Sequence, residues 1–287
     1  MKKAVVVTDS SANIPAHLVQ QLDIRVVPIL LVVDGRTFRD GVDVTSGQIY
    51  QWLRESKHIP STSAPSIGDF LRVYATAAQE APAVVSIHLS PKLSVTYSAA
   101  LAASQLLDGV SIRIVNCHSV AMGQGFVVLE AARAVAAGAD LDAIVTRAEE
   151  VASRMNVLAV LGTLEYLYRG GRIGGAAAVM GTALQIKPVV HVADGYVGLF
   201  ARPRTKAKAI RVILNQMAEQ AAETERHRPD AQFHAAILHA DVPNEAEALR
   251  QEVAQRFNCA ELYVTDFTPV MGAHAGPGVL GVAYYIE

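Results

Sequence analysis

The chain has 287 residues, 51% hydrophobic, 18% charged and 6% aromatic, with a formal net charge of −2. That length exceeds what one ordinary core needs and fits two medium α/β domains. The even charge, without a basic stripe, argues against a nucleic-acid partner, and the aliphatic excess excludes a disordered chain.

Short β-branched runs at residues 5–8, 26–33, 84–89 and 112–115 read as buried strands. Helix-like segments at 46–56, 67–79, 97–107 and 125–137 alternate with them. A helix over 141–155 follows, with Asp140 in position to cap it. The pattern restarts with strands at 157–161, 189–192, 233–239, 262–264 and 279–286, and helices at 206–225 and 245–257. This alternation predicts α/β architecture, two α/β domains with mostly parallel sheets, divided into 1–156 and 157–287. No linker rich in Pro, Gly or Ser marks the boundary, so the halves should pack closely. The second helix of that latter pair carries Glu245, Glu247, Glu252, Arg250 and Arg256 on a solvated face. No stretch approaches the ~18 unbroken apolar residues of a membrane span. Cys117 and Cys259 lie far apart, outside any zinc or disulfide pattern, which suits a cytoplasmic location.

Five segments could carry chemistry, and each also has a plain structural explanation. Thr8-Asp9-Ser10-Ser11 follows the first strand, where ligands sit in open parallel sheets, although Ser and Asp also cap helices. Pro60 to Ser66 crowds hydroxyls just before a helix, whose N-terminus favours anions; an ordinary capped loop looks the same. Ser94-Val95-Thr96-Tyr97 again joins a strand end to a helix. Gly170-Gly171-Arg172 exposes a guanidinium suited to carboxylate or phosphate, ahead of a small-residue helix through Ala176, Ala177, Ala178 and Gly181. Arg202, Arg204, Lys206 and Lys208 form a local basic cluster. Last comes His274, flanked by Gly272, Gly276 and Gly278. Gly276 to Gly281 spells G-x-G-x-x-G, yet too little chain follows for a βαβ unit, so it is no dinucleotide site. The nine histidines show no paired ligand spacing, and no metal is expected.

Taken in order, these pieces resemble the DegV family of bacterial fatty-acid-binding proteins. The resemblance runs from Thr8-Asp9-Ser10 through Asp40-Gly41, Thr62 to Ser66, Ser94 with Thr96-Tyr97, Gly170 to Ile173, Ile186-Lys187-Pro188, Asp194-Gly195 and Arg204-Thr205 to His274 with Gly276-Pro277-Gly278. It implies a two-domain carrier, not an enzyme, holding one long-chain fatty acid such as palmitate in a tunnel that reaches the domain interface. The fatty acid is its ligand, and no cofactor is expected. It further implies carboxylate binding by Thr62, Ser94 and His274, with Ser63, Ser10 and Thr96 in support. Arg172, Arg202 and Arg204 would dock a separate ATP-dependent fatty acid kinase that makes the acyl phosphate. One departure stands out: the family usually reads Ser-Gly-Thr-Tyr where this chain has Val95, and a positive φ there would be strained.

Two other functions fit parts of the pattern. One is an acyl ester hydrolase with Ser94 or Ser10 as nucleophile and His274 as base, although no nucleophile elbow is present. The other is a small-ketone-binding subunit of a phosphotransfer system, which expects a small polar pocket.

Overall fold

Valine-rich runs become central strands where helices cover both of their faces. In the computed structural model, which describes residues 2–55, 60–177 and 186–287, this happens first in a four-stranded sheet. Its order is Arg25–Val27, Val5–Asp9, Ala83–His88 and Ser111–Asn116, every pair parallel. Val5–Asp9 and Ala83–His88 are buried at every position. Helices Ile67–Glu80 and Thr96–Ser104 cover one face. Ser66 starts the first of these with a capping box closed by Asp69.

The run at 26–33 is two strands rather than one. Leu30–Val33 leaves the parallel sheet and pairs antiparallel with Arg36–Arg39 and Ser61–Ser63. Pro28 separates them, because it has no N–H to continue the ladder. The expected helix at 46–56 is seen over Ser46–Glu55; Ser56 lies outside the described residues, as do Ala178 and Gly181.

The α/β class holds for the second unit, but its sheet is not mostly parallel. The order is Tyr196–Ala201, Val189–Ala193, Asn156–Val160, Leu280–Ile286, Phe233–His239 and Cys259–Asp266. Only the last two pair in parallel. There the helix Pro243–Arg256 supplies a crossover long enough for a parallel return. The antiparallel pairs arise from one tight hairpin, one long connection from Asn156–Val160 through the helix Glu165–Arg169 to Val189–Ala193, and the last strand, Leu280–Ile286, inserting between two earlier ones. Asp194 and Gly195, at φ 49° and 77°, close a two-residue hairpin into Tyr196–Ala201, a strand the periodicity does not reveal.

The helix Met122–Ala136 ties the units together. It is buried without a break from Met122 to Ala132, the polar Gln124 and Glu130 included, so every face of it packs against protein. Val5–Asp9 and Ala83–His88 pack on it from one unit, Phe233–His239 and Leu280–Ile286 from the other. One hydrophobic core thus runs through both sheets. Leu141–Arg154 packs beside it, capped by Asp140, which accepts from the Ala143 N–H at 2.9 Å. Among the described residues, no helix is long and apolar enough to cross a membrane.

At the end of this shared core, Arg133 bridges Glu130 and Glu261 at 2.5 Å each. Arg147 bridges Glu130 and Glu287, and His234 Nδ1 lies 2.7 Å from Glu261. Burial pushes the Glu261 carboxyl up, but bonds from Arg133, His234 and Tyr263 outweigh it and hold the group at about 2. A depressed folded pKa stabilises above the unfolded value of about 4.5 and is lost as pH falls through about 2. Wild type should therefore lose on the order of 2–3 kcal/mol across that window through this group. Urea unfolding of Glu261→Gln should show that pH step flattened; an identical slope in both proteins would exclude the network as its source.

Candidate functional site

Four segments converge on a cavity of about 270 Å³. The strand Ser61–Ser63 brings Thr62 and Ser63, and the loop after Ala83–His88 brings Ser94. The turn after the helix Glu165–Arg169 brings Arg172, and the helix Pro269–Ala275 brings His274. The first two belong to the first unit and the last two to the second. Three of the expected head-group residues, Thr62, Ser94 and His274, therefore line one space.

His274 is set by bonds made at the other end of its helix. Asp40, only 2% exposed, accepts the Val270 N–H at 3.0 Å, and the Asn13 side chain accepts the Thr268 N–H at 2.8 Å. Both acceptors come from the first unit, so they fix the helix across the interface. Thr62 Oγ1 and His274 Nε2 then lie 2.8 Å apart. Two glycines make the approach possible. A Cβ on Gly170 would sit 2.4 Å from His274 Nδ1, and one on Gly276, at φ 76°, would meet the Tyr166 ring at 2.1 Å. Burial first, and then the nearby Arg172 charge, push the imidazole down to about 4. At neutral pH it is an uncharged hydrogen-bonding group.

The Ser94 hydroxyl lies 2.8 Å from Thr96 Oγ1 and accepts the Thr96 N–H at 3.3 Å. Thr96 is fully buried behind it and does not line the cavity. Val95 sits at φ −76°, ψ 3° with 67% exposure, so this position does not need glycine's backbone freedom. Its side chain forms part of the cavity mouth. Ser63 also lines the cavity; Ser10 does not, because it turns inward to accept the Ile29 N–H at 3.0 Å. Its neighbour Ser11 lines the wall instead.

Arg172 is placed differently from the expected docking rim. Its Nε donates to Leu93 O at 3.0 Å and its Nη1 to Gly170 O at 2.6 Å, and the side chain lines the cavity. Arg202 and Arg204 are exposed and take no part in that lining.

Behind the polar mouth lies a smaller chamber of about 70 Å³ that shares Val120, Leu167, Val197 and Met271 with it. Among the described residues, its lining is apolar apart from His191. A wider groove of about 860 Å³ passes Asn116, His118 and Phe200 but holds none of the three head-group candidates. Among the described residues, no group of three or more His, Cys, Asp or Glu side chains is arranged to hold a metal ion.

Sequence reasoning missed a buried network behind Ser11. Asp9 accepts from the Ser11 N–H at 3.0 Å, from Gln124 Nε2 at 3.1 Å and from the Ser11 hydroxyl, and faces His88 Nδ1 at 2.8 Å. His88 Nε2 lies 2.7 Å from Ser86 Oγ, which accepts from the Tyr74 hydroxyl at 2.8 Å. The only sequence signal was Asp9 itself. His88 sits within an apolar run that reads simply as a strand, and Gln124 directly precedes the run at 125–137 that reads as a helix.

A family model described as an uncharacterised protein of the DegV family matches residues 3–287. A DegV domain-containing protein of Halalkalibacterium halodurans is 33% identical, with both chains fully covered. Among solved structures, a fatty-acid-binding DegV family protein from Thermus thermophilus is similar at 36% identity and TM-score 0.92, with 99% of each chain covered. DegV of Bacillus subtilis, a fatty acid binding protein, gives 30% identity and TM-score 0.90 over all of both chains.

Proposed function

The chain belongs to the DegV family, and from that premise we propose that it binds one long-chain fatty acid, such as palmitate, without a covalent bond. Thr62, Ser94 and His274 hold the carboxylate, Arg172 supplies the countercharge, and Ser63 lies alongside. The tail runs into the apolar chamber, making one tunnel of the two spaces. The observation that carries this reading is the junction itself: polar groups from both units meet at a mouth whose inner wall is also the outer wall of an apolar chamber. Burying the tail contributes about 0.8 kcal/mol per methylene, so the chain supplies most of the affinity and the polar end fixes its direction. The protein acts as a cytoplasmic carrier, and a separate ATP-dependent kinase phosphorylates the presented carboxylate. Arg202 and Arg204 remain exposed, where they can meet that kinase.

A hydrolase fits less well. His274 is paired with Thr62 rather than Ser94, and the charge that acts on it is a cation. A triad base needs an anion to stabilise its imidazolium, the reverse of this arrangement. A small-ketone site would have no use for the apolar chamber.

Organic extraction of protein purified from a bacterial host should release a long-chain fatty acid. The Thr62→Ala/Ser94→Ala double variant should retain much less, since each hydrogen bond to a charged group contributes about 1.5–3 kcal/mol. Empty extracts from wild type, together with no thermal shift on adding palmitate, would reject the carrier reading. Equal loading of wild type and double variant would move the carboxylate elsewhere.

A further inference from the structure

We propose that Met271 is the gate that sets how far an acyl chain penetrates, and so decides chain-length preference; this rests on the fatty-acid reading above. Four residues form the collar common to the polar mouth and the deep chamber: Val120, Leu167, Val197 and Met271. The first three belong to the hydrophobic core and are only 9%, 7% and 8% exposed. Val120 and Val197 are β-branched, with few side-chain states available. Met271 is half-buried, packs against the core from outside it, and has an unbranched side chain with three rotatable bonds. Of the four, it can yield most easily to an incoming chain.

Its place on the helix Pro269–Ala275 strengthens the argument. His274 lies three residues on and Ala275 four, so all three share one helical face. His274 lines only the mouth, Ala275 only the chamber, and Met271 both. The Asp40 and Asn13 bonds to this helix hold its start in place. Chain-length selection then falls to Met271, the most flexible side chain among the described collar residues, rather than to movement of the helix.

Size at this position should act in opposite directions. Met271→Phe fills the collar and closes the chamber; Met271→Ala opens it. At the usual worth of a filled apolar cavity, 70 Å³ corresponds to about 20-fold in affinity. Dissociation constants for laurate, myristate, palmitate and stearate, measured on wild type and both variants, provide the test. Met271→Phe should move the stearate-to-laurate preference toward laurate by about that factor, and Met271→Ala should move it toward stearate. A general folding defect would instead weaken every ligand alike, and the Ala variant decides the matter if Phe is not accommodated. Wild type that binds these acids while both variants keep its preference overturns the gate alone. Wild type that binds none of them overturns the fatty-acid reading, and the gate with it.

Discussion

Asp9→Ala should be among the most destabilising single substitutions in this protein, costing about 3–5 kcal/mol in the unfolding free energy. The Asp9 side chain is wholly buried, as is that of His88 beside it. Within the network, the Tyr74 hydroxyl donates to Ser86 and Ser86 in turn donates to His88 Nε2, which leaves Nδ1–H to donate to Asp9. Removing the carboxylate strands that N–H, the Ser11 amide and one Gln124 donor in a dry core. Each buried unsatisfied group costs about 1–3 kcal/mol. His88→Ala breaks the same chain one step later, so the two losses should not add: the double variant should be little worse than Asp9→Ala. Denaturant midpoints of the two single variants and the double variant measure this coupling. A loss below about 1 kcal/mol for Asp9→Ala, or strict additivity, would mean that the network is not the unit described. Because Ser11 lies between Asp9 and the cavity, ligand loading should also fall in the single variant.

The strong periodic elements were readable because burial alone dictates them. Phe233–His239 and Lys206–Glu225 have the bounds that the apolar pattern gives. Strands held by pairing rather than by burial were not readable. Ser61–Ser63 and Arg36–Arg39 carry polar residues and exist because Leu30–Val33 needs partners. The antiparallel course of the second sheet follows from one two-residue turn, one long connection between Asn156–Val160 and Val189–Ala193, and one returning strand, none of which alters hydrophobic periodicity. At the candidate site, Thr62, Ser94 and His274 could be chosen from loop position and from the resemblance, since hydroxyls and an imidazole at strand ends have few other uses. Choosing between Ser10 and Ser11 required knowing which way a tight turn faces. Arg172 presented the same difficulty: a Gly-Gly turn exposes an arginine on paper, while two carbonyls fold it over the cavity.

Arg172→Gln should weaken fatty-acid binding by about 100-fold or more, the cost of leaving a buried carboxylate without its cation. Thr62, Ser94 and an uncharged His274 supply hydrogen bonds but no charge, so the guanidinium is the cation of the lining. Gln is shorter but keeps an amide N–H where arginine has Nε, so it retains the Leu93 contact while the charge and the Gly170 contact are lost; the pH response isolates the charge. The pH response follows from the imidazole. In wild type, burial and Arg172 together hold His274 at about 4, so it does not titrate between pH 8 and 5.5. Without the cation, only burial opposes protonation, and an incoming carboxylate favours the imidazolium. The variant should therefore regain affinity on acidification as His274 takes over the positive charge, and the ratio of variant to wild-type affinity cancels the ligand's own titration. Adding His274→Ala to Arg172→Gln should abolish that recovery. If the ratio instead stays flat from pH 8 to 5.5, His274 does not share the carboxylate with Arg172. If Arg172→Gln binds as tightly as wild type, the guanidinium serves only to tie the Leu93 and Gly170 carbonyls together.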